Sequence, residues 1–104
     1  MDVSGDPTAS HRFEPPDAAR LKRRRKATLR RIHDEALLYD AAAHELLYLN
    51  SAALQIWAEA DGSLSLRELI ERYARDMDRA PEDAGREVNQ AVDAMLREGW
   101  IEWN

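Results

Sequence analysis

Between Leu37 and Asn50 the chain reads LLYDAAAHELLYLN, two short apolar runs around a four-residue break, and the helix-like segment SAALQIWAEA follows with no linker. A half-solvated antiparallel strand should alternate apolar and polar residues. Here Leu37, Leu38 and Tyr39 are consecutive, as are Leu46, Leu47, Tyr48 and Leu49. If Leu47 and Leu49 face a core, Leu46 and Tyr48 must face away from it. A strand pair that is apolar on both sides and abuts helices leaves one face and one edge wanting a partner, and an exposed edge is a template for a further strand. That pattern favours a binding module over an enzyme. The plainer alternative is that the basic segment near residue 25, or the apolar end Trp100–Trp103, covers this surface.

A chain of 104 residues has room for one domain with a small core. Residues 1–21 hold Gly5, Pro7, Pro15 and Pro16 among small and charged residues, and read as a disordered tail ahead of a domain spanning 22–104. Residues 27–33 (ATLRRIH) are expected to form a first strand, 35–40 a second and 44–49 a third, with Asp40–Ala43 as a hairpin loop lacking glycine. Three helices follow. The first is expected over 51–60, capped by Asn50 or Ser51 and stopped at Asp61-Gly62. The second starts at Ser65, whose spacing to Glu68 is that of a capping box, and Leu66, Leu69, Ile70, Tyr73 and Met77 share one face. The third runs from Pro81 to about Glu98, with Val88, Ala91, Val92, Met95 and Leu96 as its buried stripe and Gly99 as its stop. The expected fold is therefore α+β: a three-stranded antiparallel sheet followed by a three-helix, winged-helix-like bundle.

Catalysis has little to work with. The chain has no cysteine, its three histidines (His11, His33 and His44) lack metal-ligand spacing, and its four glycines are isolated, so neither a metal site nor a phosphate loop nor any other cofactor site is expected. Ser51, Ser63 and Ser65 are explained as turn and cap residues. The absence of cysteine and of a secretory signal points to the cytoplasm, and no run approaches the ~18 apolar residues of a membrane span. Charge is uneven. Eight of the fifteen basic residues lie between Arg20 and Arg31 with no acid among them, whereas from Ile32 onward sixteen acids face six arginines. Nucleic acid is disfavoured as a partner, because the third helix, which would enter the groove, carries Glu82, Asp83, Glu87, Asp93 and Glu98 against Arg86 and Arg97. A winged-helix-like nucleic-acid-binding or transcription-regulating protein that uses the Arg20–Arg31 segment is the alternative reading. The basic segment reads either as a solvated linker or as an arm that docks an acidic surface.

The order LLYD, YLN (Tyr48 to Asn50), a helix with Ile56 and Trp57, Asp61-Gly62, a capped SLRELI segment and a final helix closing on Leu96-x-x-x-Gly-Trp-Ile resembles the PqqD family, the recognition elements of ribosomally made, post-translationally modified peptides. The likeness spans about residues 25–102. It implies a non-catalytic protein that takes the leader segment of a precursor peptide as an added strand on the third strand, in the cleft against the third helix, and presents it to a modifying enzyme such as a radical SAM protein. Carried over by position, the edge is His44, Glu45, Leu46, Leu47, Tyr48 and Leu49, and the facing wall is Arg86, Asn89, Gln90, Asp93 and Arg97. Leu46 and Tyr48 would offer pockets to alternate side chains of the peptide, while Arg86 and Arg97 would meet its acids or else balance acids on their own helix. Where pyrroloquinoline quinone members have Pro-Glu, this chain has Tyr39-Asp40, and they lack the basic segment. The resemblance therefore implies a stand-alone recognition protein of a different modification pathway. A homodimer paired through the free sheet edge is the other expected use of that edge.

Overall fold

The structure, a computed structural model, describes residues 19–104. Of the tail expected over 1–21, residues 1–18 lie outside the described residues, and Arg20 and Leu21 open a strand. The element order is β1 (Arg20–Arg23), β2 (Thr28–Ile32), β3 (Glu35–Asp40), β4 (Glu45–Leu49), α1 (Ser51–Glu59), β5 (Asp61–Ser65), α2 (Leu66–Asp76), α3 (Pro81–Arg97) and β6 (Ile101–Trp103). The α+β class and the three antiparallel strands ahead of the helices are as expected. A second three-stranded antiparallel sheet, ordered β5-β1-β6, joins the expected one, ordered β2-β3-β4.

Each helix forms where its end signals lie. The Asn50 side chain accepts from the Ala53 N–H at 2.9 Å and so caps α1, settling the choice between Asn50 and Ser51. Ser65 and Glu68 make the reciprocal capping box of α2, each side chain bonding the other's backbone N–H. At the far end of α3 the Trp100 N–H donates to the Met95 carbonyl and the Gly99 N–H to that of Leu96, the Schellman pairing, and Gly99 takes φ +76° as that turn requires. The β2–β3 hairpin turns on His33-Asp34, with Ile32 opposite Glu35, so β2 stops one residue before the expected end. The next hairpin pairs Asp40 with Glu45 around a longer loop, 41–44, and the Asp40 carboxylate accepts from the Ala43 N–H. His44, expected to begin the strand, closes that loop instead with φ +54°.

Alternation in β3 is strict: Ala36, Leu38 and Asp40 are buried, and Glu35, Leu37 and Tyr39 are exposed. Sheet register then sets the inner face, with Leu38 flanked by Leu29 and Leu47, and Ala36 flanked by Leu49. These pack on a core that includes Ile56, Leu69, Val88, Trp100 and Ile101. Trp57 and Trp100 meet edge to face, with ring centroids 6.5 Å apart.

The second sheet corrects the picture of the basic segment as a linker or free arm. β1 is the middle strand of that sheet, and Leu21 is fully buried within it. Arg23 lies over the Trp57 ring at 4.8 Å and donates to the Trp57 carbonyl, while Arg25 lies over the Trp100 ring at 4.2 Å. Lys26, Arg30 and Arg31 stay exposed.

Candidate functional site

β4 is an edge strand, hydrogen-bonded to β3 on one side only. Every second residue of such a strand therefore turns its N–H and C=O outward, unpaired within the sheet. Across from that edge lies α3. The groove between them is a cavity of about 350 Å³ with Leu47, Ala91, Ala94 and Met95 among its lining residues. Small side chains on α3 leave the space open. Ala91 and Ala94 lie three residues apart on one helix face, and a larger residue at either would fill the space.

The other end of this groove is polar. Glu87 accepts the Tyr73 hydroxyl hydrogen bond at 2.6 Å and lies 3.6 Å from the Arg79 guanidinium, and Gln90 lies beside them on the lining. Burial first, and then the bond to Glu87, hold the Tyr73 phenol above its ordinary range. The sign for stability follows. Below about pH 10 the neutral phenol is common to both states, and above it the unfolded chain releases its proton more readily than the native state. Stability from this group is therefore complete below pH 10 and lost as pH rises through the higher native value. Urea midpoints measured from pH 7 to 11 should fall at the alkaline end, and Tyr73→Phe should fall less steeply there while losing about 1 kcal/mol at pH 7 with its hydrogen bond.

Near Glu45 the edge opens into a second depression lined by Arg24, Arg25, Asp40, Glu45, Leu96 and Arg97. A strand laid along β4 would pass from this depression to the one at Gln90. On the outer face of the sheet, register places Leu46 beside Tyr39 and Tyr48 beside Leu37. Leu46 and Tyr48 are 66% and 57% exposed, so the consecutive apolar residues do put side chains on both faces. The Glu35 carboxylate, as acceptor of a hydrogen bond from Tyr48, holds that phenol above its ordinary range.

Of the edge residues expected to contact a ligand, Glu45 to Leu49 form β4 and His44 stands in the turn before it. Leu47, Tyr48 and Leu49 line the groove, and Glu45 lines the second depression. Of the expected wall, Gln90 lines the groove and Arg97 the depression. Arg86, Asn89 and Asp93 are exposed and line neither. Both arginines pair within the helix, Arg86 with Asp83 at 2.8 Å and Arg97 with Asp93 at 3.5 Å. Sequence reasoning missed Tyr73, Arg79, Glu87 and Ala94. Ala94 carries no hydrophobic signal of its own, and Arg79 sits in the short link between α2 and α3, where periodicity says nothing. Among the described residues no cluster of three or more His, Cys, Asp or Glu side chains could hold a metal ion, and no helix is long and apolar enough to cross a membrane.

A model of the family described as coenzyme PQQ synthesis protein D (PqqD) matches residues 35–101. Among solved structures the chain is similar to TbiB1 in complex with the TbiA(beta) leader peptide, with a TM-score of 0.63 and 15% sequence identity over 78% of this chain and 94% of that one. At that identity the similarity is one of fold. No curated protein matches the chain.

Proposed function

The chain belongs to the PqqD family, and from that premise we propose that it is a non-catalytic recognition element that captures the leader segment of a ribosomally made precursor peptide and presents it to a modifying enzyme. One observation carries the reading: the unpaired edge of β4 faces an open groove whose far wall is α3. A peptide added along β4 satisfies the outward backbone groups, each bond contributing about 1 kcal/mol, with little dependence on peptide sequence. Its alternate side chains enter the groove over Leu47, Ala91 and Ala94, and these contacts supply selectivity. That TbiB1 was seen with a leader peptide supports the choice of ligand class.

The remaining exposed surface suits the second half of the task. Leu37, Tyr39, Leu46 and Tyr48 form an apolar group on the outer face. Arg30 on β2 stands opposite Leu37 on that face, with Lys26 and Arg31 also exposed nearby in the chain, and an acidic-rimmed enzyme, a radical SAM protein for instance, could dock there. Because Arg23 and Arg25 are built into the fold, docking by the basic segment has to be tested at Lys26, Arg30 and Arg31.

The test is an amide NMR titration with a panel of synthetic leader segments from ribosomally made precursor peptides, with duplex DNA as the control ligand. Saturable shifts are expected at Glu45–Leu49 and along α3 from Glu87 to Arg97. Shifts produced only by DNA and centred on Lys26–Arg31 would replace this reading with a nucleic-acid protein.

A further inference from the structure

We propose that Arg25 is a positioning residue that sets the width of the groove between β4 and α3. Among the described residues, no hydrogen bond or ion pair joins β4 to α3 directly. One guanidinium spans the gap instead. On the sheet side, Arg25 Nη1 donates to Glu45 Oε1 at 2.5 Å and to Asp40 Oδ2 at 3.3 Å. On the helix side, Nη2 donates to the Glu98 carbonyl at 2.7 Å and Nε to the Gly99 carbonyl at 3.1 Å. These carbonyls end α3, where the helix dipole favours a cation. The Trp100 ring beneath fixes the plane of the fork.

Glu45 is the first residue of β4, and Gly99 lies two residues past the end of α3, so Arg25 ties the two groove walls together at one end. Gly99 is hemmed in by the same basic segment, most closely by Arg24. A Cβ there would lie 3.1 Å from Arg24 Nη1 and 3.8 Å from Arg25 Nη2, in addition to the positive φ. Lysine could not replace this brace, because a single ammonium cannot bond four acceptors in a plane while stacking on an indole. The residue lies outside the segment that matches the family model, so the brace comes from this chain's own amino-terminal strand region. A groove held at strand-accepting width spares a ligand the cost of ordering it.

The affinity part of this proposal rests on the peptide-binding reading, and the geometric part does not, so the experiment measures both. The chain has no cysteine, so single cysteines at Leu46 on β4 and Asn89 on α3, both exposed and outside the groove lining, accept spin labels cleanly and report the separation of the two elements. Pulsed EPR distances are compared for the parent, Arg25→Lys and Arg25→Gln, alongside melting curves and titration with the panel of synthetic leader segments. The parent should give one narrow distribution, and both variants a distribution broadened or displaced by about 2 Å or more. Leader affinity should fall about tenfold. Glu45→Gln, which weakens only the sheet side of the brace, should broaden the distances as well and serves if the Arg25 variants do not fold. Unchanged distances in a folded Arg25→Gln overturn the proposal, even if its melting point falls, since a merely structural role predicts that result. Altered distances with no leader binding by any variant leave the brace standing and remove the peptide reading.

Discussion

A chain shortened to begin at Lys26 is expected not to fold, although it keeps the whole segment matching the family model. The loss falls on the second sheet. β1 is its middle strand, so removing it strips backbone partners from both β5 and β6. Leu21, 1% exposed, goes with it, and emptying such a site costs about 2–5 kcal/mol by itself. The Arg23 N–H to Ala60 and Arg24 N–H to Trp100 bonds disappear, as do the guanidinium contacts on Trp57 and Trp100. Two large indoles would lose their cover together. Against a total stability of roughly 5–15 kcal/mol, these losses are sufficient to unfold the chain. Far-UV circular dichroism and the dispersion of the amide NMR spectrum decide the matter. A cooperative melt within a few degrees of the full chain would show that β1 is dispensable and that residues 26–104 fold alone.

The second large effect is expected at Ala94. Its side chain is half-buried on the groove wall, so Ala94→Arg fills the path of an added strand without displacing any fully buried residue. Leader affinity should fall at least ~30-fold, on the order of 2 kcal/mol, as for a central interface position. The melting temperature should move by only about 2–4 °C. Asp93→Ala, one residue away but off the groove, should change affinity less than about threefold. Isothermal titration of the two variants separates a ligand lying in the groove from one lying on the exposed side of α3. Equal losses would place it on the latter.

The contrast between Ala94 and Asp93 shows where reading the sequence succeeds and where it stops. Apolar periodicity identified the buried stripe of α3 through Val88 and Met95, because burial of large side chains leaves a strong signal at helical spacing. The groove takes Ala91 and Met95 from that stripe, but its other α3 residues, Glu87, Gln90 and Ala94, are of types equally at home on a solvated surface. The expected wall of Arg86, Asn89, Gln90, Asp93 and Arg97 is carried over by position onto the exposed side of the helix, and of these Gln90 alone lines this groove.

What the sequence determined by itself is the set of local events. The Asn50 cap, the Ser65–Glu68 box, the proline start and glycine stop of α3, and the β3–β4 hairpin with apolar residues on both faces are each decided by residues within about one turn or one hairpin of each other. Tertiary structure alone decided the second sheet and everything built on it. β1 has one buried residue in four, β5 reads DGSLS, and β6 has three residues, so none carries a pattern that declares a strand. Their register sets Leu21 opposite Trp103 and Arg20 opposite Ser65, partners that only a folded core brings together. The same holds for Arg25. In sequence it is one cation in a basic run, and its role exists only because the fold brings Glu45, Asp40, the end of α3 and the Trp100 ring around a single planar group.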